Sequence, residues 1–182
     1  MKPLLNTILL FLLVIGFSGG VSGQDFEETK RLAEQGDASA QYNLGVMYSF
    51  GRGVPENYAE AVRWWRLAAE QGIARAQYEL GAMYEIGLGV PENDVEAVKW
   101  YRLAAEQGYA SAQYKLGNMY DEGSVLQNNV RAYVWWSVAA AQGHKSARTN
   151  RDSMAEQLTP EQLARGQDMA TSCFESDYQD CE

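Results

Sequence analysis

Apolar residues recur along the chain at helical spacing, in two alternating patterns. In the first pattern, Ala40, Leu44, Met47 and Tyr48 fall at i, i+4, i+7 and i+8, so they share one face of a helix. The second pattern mixes small residues with large aromatic ones at the same spacing: Ala61, Trp64, Trp65, Ala68 and Ala69. All five tryptophans of the sequence lie in stretches of this second kind. The patterns predict pairs of helices in which aromatic side chains pack against alanines.

The two patterns together form a unit that occurs three times. Residues 38–73 and 74–109 are identical at 25 of 36 positions when they are aligned without gaps. A third copy, residues 110–144, is one residue shorter, and its loop GSVLQNN lacks the second Gly and the Pro of the other loops. A fixed period of this length is typical of stacked helix pairs. The predicted fold class is therefore all-α, an α/α right-handed superhelical solenoid of antiparallel helix pairs.

Glycine and proline predict how each pair is built. One glycine beside the apolar stripe of each first helix indicates a close approach of another helix, because glycine inside a helix costs about 1 kcal/mol relative to alanine: Gly45, Gly81 and Gly117. A second set is expected to end each first helix in a left-handed conformation: Gly51, Gly87 and Gly123. Pro55 and Pro91 follow in the loops and are expected to start the next helix.

Shorter segments flank the three copies. Residues 24–37 match only a second helix and are interpreted as an N-terminal half-repeat. Residues 145–182 are expected to form capping helices and a tail, because 145–158 is a more polar version of a first helix. Thr159, Pro160 and Gln162 then form a helix start of the capping-box type, and this last helix is expected to run to about Thr171.

The repeated unit resembles the Sel1-like repeat, a relative of the tetratricopeptide repeat. The first two copies meet the pattern A-x-A-Q-x-x-L-G-x-x-Y-x-x-G-x-G-V nearly in full, and the resemblance covers about residues 38 to 143. It implies a scaffold or regulatory adaptor that binds a protein or peptide partner of unknown identity through the concave surface of the solenoid. A purely structural protein of the cell envelope is an alternative.

The resemblance also suggests where such a partner binds. In tetratricopeptide-like solenoids, the stripe opposite the packed face of each first helix lines the concave side. Here that stripe comprises Ser39, Tyr42, Val46, Ser49, Arg75, Tyr78, Ala82, Glu85, Ser111, Tyr114, Asn118 and Asp121. The three tyrosines recur in register and are interpreted equally well as scaffold. Positions that differ between copies are favoured for recognition, or else are merely solvated: Arg75, Glu85, Asn118 and Asp121.

Residues 1–23 have the layout of a secretory signal peptide. Lys2 precedes an apolar run over 4–17, and small residues precede a plausible cleavage site before Gln24. An uncleaved membrane anchor is the alternative, but 14 residues of helix span only about 21 Å of a hydrocarbon core of roughly 30 Å. We therefore expect an exported protein, periplasmic or secreted, without stable membrane insertion after cleavage.

The sequence has two cysteines, Cys173 and Cys181, and both lie in the C-terminal tail. In an exported protein they are predicted to form a disulfide, with free thiols as the alternative. Their separation of eight residues does not fit a CxxC metal or redox site.

Charge and residue types predict little chemistry. The chain has 15 Lys and Arg against 24 Asp and Glu, a net charge of −9, and no basic cluster, so nucleic-acid binding is not expected. The single histidine, His144, excludes a multi-histidine metal site and is interpreted as a cap or surface residue. We predict no catalytic residue, metal or cofactor. The alternative is a secreted hydrolase that acts on β-lactams, as has been linked to cysteine-rich relatives, but those carry two cysteines in each repeat.

Overall fold

The computed structural model describes residues 23–122 and 127–181. Across these two ranges it contains nine α-helices and no strand, which confirms the all-α repeat fold. Residues 1–22, which hold most of the predicted signal peptide, and Gly123 lie outside the described residues. The helices are α1 (Gly23–Glu34), α2 (Ala38–Phe50), α3 (Tyr58–Glu70), α4 (Ala74–Ile86), α5 (Asp94–Ala105), α6 (Ala110–Glu122), α7 (Asn129–Ala141), α8 (Lys145–Gln157) and α9 (Pro160–Glu175).

Each repeat is a pair of helices, and each pair packs against the next one. The first helices α2, α4 and α6 lie against their own second helices α3, α5 and α7, and each second helix also contacts the first helix that follows. At the ends, α1 covers α2, while α8 and α9 both pack on α7. The alanines and tryptophans of the second pattern are buried in all three copies, so the aromatic rings fill the space that the alanines leave between helices.

The glycines inside the first helices allow the close approach that the sequence predicts. A Cβ atom built on Gly45 would lie 2.5 Å from the Trp65 ring, and one on Gly117 would lie 2.5 Å from the Trp136 ring. The Cβ of an alanine at Gly81 would lie 2.8 Å from the Tyr101 ring. Each second helix therefore presses an aromatic ring directly onto the backbone of its first helix.

The loops differ from expectation at the prolines. Gly51 ends α2 with a φ of 64° and Gly87 ends α4 with a φ of 67°, as predicted. The second helices, however, begin after Asn57 and Asn93, whose side-chain oxygens accept backbone N–H groups of the first helical turn. Asparagine satisfies these free donors, so Pro55 and Pro91 lie in the loops ahead of the caps and the expectation that they start the helices was wrong.

A ladder of glutamine side chains connects the repeats. Gln41, Gln77 and Gln113 are buried, and each donates its amide to a carbonyl of the preceding second helix, at 3.2, 3.1 and 3.1 Å. Each also accepts an amide hydrogen from a glutamine at the end of its own second helix, at 2.7, 2.7 and 2.6 Å: Gln71, Gln107 and Gln142. Three helices meet at each buried amide, which satisfies its polar groups in the core.

The C-terminal segment folds back on the solenoid. Thr159 and Gln162 form the predicted capping box, with Pro160 in the first turn of α9. The helix runs to Glu175 rather than Thr171, because Cys173 in its last turn is buried and bonded to Cys181 in a disulfide. The tail then places the Tyr178 ring against Gly108. None of the helices over the described ranges has the length and apolar character that a membrane crossing requires.

Candidate protein-binding face

The twelve residues of the predicted stripe lie on α2, α4 and α6, and we call them the first-helix face. Ser39, Arg75 and Asp121 are exposed. Ser49 is buried, with 6% of its surface exposed, and its hydroxyl donates to the Val46 carbonyl at 3.0 Å. The others are half-buried: Tyr42, Val46, Tyr78, Ala82, Glu85, Ser111, Tyr114 and Asn118. The stripe is thus less open than helical periodicity alone suggests, because neighbouring helices cover part of it.

Contacts between successive first helices show that the stripes border shared gaps. The Lys115 ammonium of α6 lies 2.9 Å from the Glu85 carboxylate of α4. The Asn150 amide of α8 donates to Asn118 of α6 at 3.5 Å. We name the gaps groove 1 between α2 and α4, groove 2 between α4 and α6, and groove 3 between α6 and α8.

Groove 2 is closed by a network centred on Glu85. The Tyr101 hydroxyl, at the floor of the groove, donates to this carboxylate, and Lys115 donates to both of its oxygens at 2.9 Å. Burial first, and then the adjacent Glu85, raise the pKa of the Tyr101 hydroxyl far above its usual value, so this group remains protonated and acts as the donor. Glu85 therefore crosslinks two helices to the floor between them.

Groove 3 repeats this arrangement with neutral groups. Trp136 takes the place of Tyr101 at the floor, and its indole N–H donates to the Asn118 side-chain oxygen at 3.0 Å. The same oxygen accepts the amide hydrogen of Asn150 from the next first helix. In both grooves, one acceptor on the first-helix face thus receives a donor from the floor and a donor from the following helix.

Groove 1 has no such acceptor. The positions of Glu85 and Asn118 are taken there by Ser49 and Val46, and the floor indole of Trp65 is buried without a hydrogen-bond partner. The indole N–H groups of Trp64, Trp100 and Trp135 also lack a partner. These three residues occupy equivalent positions of the three repeats, so they do not distinguish groove 1 from the other grooves. What remains in groove 1 is an open cavity of about 270 Å³, lined by Tyr42, Val46, Ser49, Phe50, Glu56, Tyr58, Trp65, Glu79 and Met83.

A half-buried carboxylate lies at the edge of this cavity. Burial raises the pKa of the Glu79 carboxyl, and within residues 23–122 and 127–181 that side chain makes no hydrogen bond or ion pair. Burial is also the main cause of the raised pKa of Tyr42; the negative charge of Glu79 adds to the shift and Arg75 opposes it. Arg75 therefore lies near the groove without neutralising Glu79.

The comparison of grooves 1 and 3 predicts opposite effects of exchanging their acceptors. We expect Asn118→Val to lower the free energy of unfolding by about 1–2 kcal/mol, because it leaves the buried Trp136 N–H unsatisfied. Val46→Asn is expected to raise it by about 0.5–1.5 kcal/mol, because Asn offers Trp65 the acceptor that Trp136 already has. Urea unfolding of both variants measures the two changes, and shifts of the same sign would contradict this interpretation.

Three residues that shape the grooves are absent from the predicted stripe. Glu79, Lys115 and Asn150 occupy the same position of α4, α6 and α8, one residue after the stripe position of Tyr78 and Tyr114. Helical periodicity places this position between the packed and the open face, so it belongs to neither. The signal available in the sequence is the change from Glu to Lys to Asn between otherwise similar copies.

The single histidine, His144, has a structural role. His144 caps α8, where its Nδ1 accepts the Ala147 N–H at 3.2 Å, and its ring stacks on Tyr114 with centroids 4.5 Å apart. This confirms the interpretation of His144 as a cap residue. In the part of the chain that the structure describes, no group of three or more His, Cys, Asp and Glu side chains is placed to hold a metal ion.

Comparisons with known proteins agree with this architecture. The family model of the Sel1 repeat matches residues 38–73, 74–109 and 110–144. The crystal structure of a Sel1 repeat protein from Oxalobacter formigenes is 41% identical, with a TM-score of 0.65, over 71% of this chain and 98% of that chain. The crystal structure of c5321 is also similar, with 31% identity and a TM-score of 0.72 over 87% of this chain and 35% of that chain. It is described as a protective antigen present in uropathogenic Escherichia coli strains, displaying an SLR fold. No curated protein matches the chain.

The repeat matches cover more than half of the sequence. Almost the full length of the Oxalobacter protein aligns with this chain. Within this chain, the matched repeats share the helix pairs, the aromatic rings packed on glycine and the 36-residue spacing of the buried glutamines. The chain belongs to the Sel1 repeat family.

Proposed function

We propose that this protein is a non-enzymatic scaffold or adaptor of the cell envelope or extracellular space that binds a protein partner on the first-helix face. Sel1 repeats generally mediate protein binding, and proteins built from them are generally non-enzymatic. The disulfide between Cys173 and Cys181 is compatible with an oxidising compartment and supports the export part of the proposal.

The observation that carries the proposal is the unequal closure of the three grooves. Side chains of this chain bridge groove 2 and groove 3, and groove 3 keeps a cavity of about 130 Å³. The cavity of groove 1 is about twice that volume, at 270 Å³, no hydrogen bond between α2 and α4 crosses it in the described residues, and Phe50 at its rim is 66% exposed. Ile86, the equivalent residue one repeat later, is 59% exposed. Exposed large apolar side chains at equivalent positions of successive repeats are typical of a surface that a partner covers.

Site-specific photo-crosslinking in the native cell tests this assignment. A photoreactive phenylalanine analogue at Phe50 or Arg75 places the probe on the first-helix side, and the same analogue at Val95, 63% exposed on α5, is the control. We expect one discrete protein adduct from Phe50 and Arg75 and none from Val95. Equal adducts from all three positions, or an adduct from Val95 alone, would contradict binding on this face.

A double variant then tests recognition without loss of the fold. Arg75→Ala combined with Asp121→Ala changes two exposed stripe residues, so the free energy of unfolding should change by less than about 0.5 kcal/mol. The yield of the adduct from Phe50 should fall several-fold. Glu85 and Asn118 are unsuitable for this purpose, because they hold Tyr101, Trp136 and Lys115 in place.

A further inference from the structure

In groove 1 the following helix supplies a hydrogen-bond acceptor, whereas in the other two grooves it supplies a donor. In grooves 2 and 3, the first-helix face supplies the acceptor and the following helix supplies a donor, Lys115 or Asn150. In groove 1 the following helix supplies Glu79, an acceptor, and Val46 and Ser49 offer it nothing in return, since the Ser49 hydroxyl is bonded to its own helix. Glu79 and the Trp65 N–H line the same cavity without bonding to each other, so the donor that pairs with Glu79 is water or a group of another molecule.

The groups that line groove 1 define the chemistry of a group that could bind there. The Glu79 carboxylate can accept hydrogen bonds and attract a cation, and Glu56 adds a second carboxylate to the lining of the cavity. The walls beside them are apolar and aromatic, formed by Tyr42, Phe50 and Met83. Lysine and arginine combine an apolar stem with a charged end, which suits a cavity with this division.

The size of the cavity favours a side chain over a cofactor. Its volume of about 270 Å³ is below the roughly 300–1,000 Å³ that small-molecule sites usually have. Groove 2 provides an internal example of the occupied state, because there the Lys115 side chain crosses between the helices and ends 2.9 Å from a carboxylate.

We propose that groove 1 receives a lysine or arginine side chain of the protein partner, whose cationic end pairs with Glu79 while its stem lies along Tyr42, Phe50 and Met83. This inference rests on the function proposed above for the partner, but the groove itself can be probed without that partner.

The probes are Nα-acetyl-lysine methylamide and Nα-acetyl-arginine methylamide at millimolar concentration. The indole N–H signal of Trp65, identified with a Trp65→Phe variant, reports occupancy in proton–nitrogen correlation spectra of the full-length mature protein. We expect both probes to shift this signal in a saturable way. Nα-acetyl-norleucine methylamide has an apolar stem but no charge, and it should cause no comparable shift.

Variants at Glu79 identify the group that binds. Glu79→Gln should weaken binding of the lysine probe about tenfold, because it replaces a charge-assisted hydrogen bond by a neutral one. Glu92→Gln is the matched control: it removes the same charge at the exposed residue one repeat after Glu56, and it should leave the affinity unchanged. Glu79→Lys should abolish binding of the lysine probe and allow a shift by Nα-acetyl-glutamate methylamide.

Two results would overturn the inference: no saturable shift of the Trp65 signal with either cationic probe, or equal affinities of the wild type and Glu79→Gln. Neither result bears on the crosslinking experiment with Phe50 and Arg75, which tests whether a protein binds this face at all. Saturable binding of lysine together with an absence of protein adducts would contradict the proposed function and leave the chemistry of groove 1 standing.

Discussion

Replacing Trp135 by alanine is expected to lower the free energy of unfolding by about 3–5 kcal/mol. Trp135 is 1% exposed and is the largest fully buried side chain in the described core. It lies on α7, which contacts α6, α8 and α9, so the cavity left by the ring would open in a helix that packs against three others. Its indole nitrogen has no hydrogen-bond partner, and the loss is therefore one of apolar burial and packing.

Urea unfolding followed by circular dichroism measures this change. Ile86→Ala removes a large apolar side chain that is 59% exposed, and as the control it should change the free energy of unfolding by less than about 0.5 kcal/mol. A loss below about 1 kcal/mol for Trp135→Ala would mean that the ring is not part of a packed core.

Removing the disulfide is expected to cost about 2–3 kcal/mol. Cys173 and Cys181 close a short loop, and the chain-entropy model assigns such a loop a stabilisation of this size, because the crosslink restricts the unfolded chain. Both cysteines are buried, so the double variant Cys173→Ala with Cys181→Ala changes little of the surface that the protein exposes to water. The tail that it frees carries Gln179, whose amide donates to the Glu106 carbonyl at 2.9 Å.

Two measurements separate the effect of the crosslink from that of the sequence change. A reducing agent should destabilise the wild type by nearly the amount that the double variant loses, and it should have no effect on the variant. Hydrogen exchange at Gly108 should accelerate in both reduced and variant proteins, because the Tyr178 ring then no longer covers that turn. Equal stability of the oxidised and reduced wild type would show that the disulfide does not stabilise the fold.

The repeat architecture could be predicted from the sequence because it depends on local periodicity. Alanine, tryptophan and glycine recur at spacings that specify a helical face, and the close contacts of Gly45 with Trp65 and of Gly117 with Trp136 follow from that spacing. The start of the second helices was harder to predict. Asn57 and Pro55 are both favourable near a helix start, and only the backbone shows that the asparagine oxygen accepts the N–H group of Glu60.

The candidate face could be predicted only in part, because periodicity describes one helix and a groove needs two. Whether Glu85 points to solvent or to Lys115 depends on the distance between α4 and α6, which is set by packing on α5. Ser49 lies at the correct helical angle, yet it is buried because neighbouring structure covers the end of α2. Glu79 was missed because it sits between the two faces, where its charge matters only beside an empty groove.

The glutamine ladder has a consequence for how such a chain changes length during evolution. The hydrogen bonds at the junction before a repeat are the same as those at the junction after it. Gln77 and Gln113 both donate an amide hydrogen to an alanine carbonyl eight residues earlier. An in-frame tandem duplication of a whole repeat would therefore create a junction with the hydrogen bonds of the existing ones. The series of glutamine junctions ends at α8. There the exposed Arg148 occupies the glutamine position and presents a guanidinium to water.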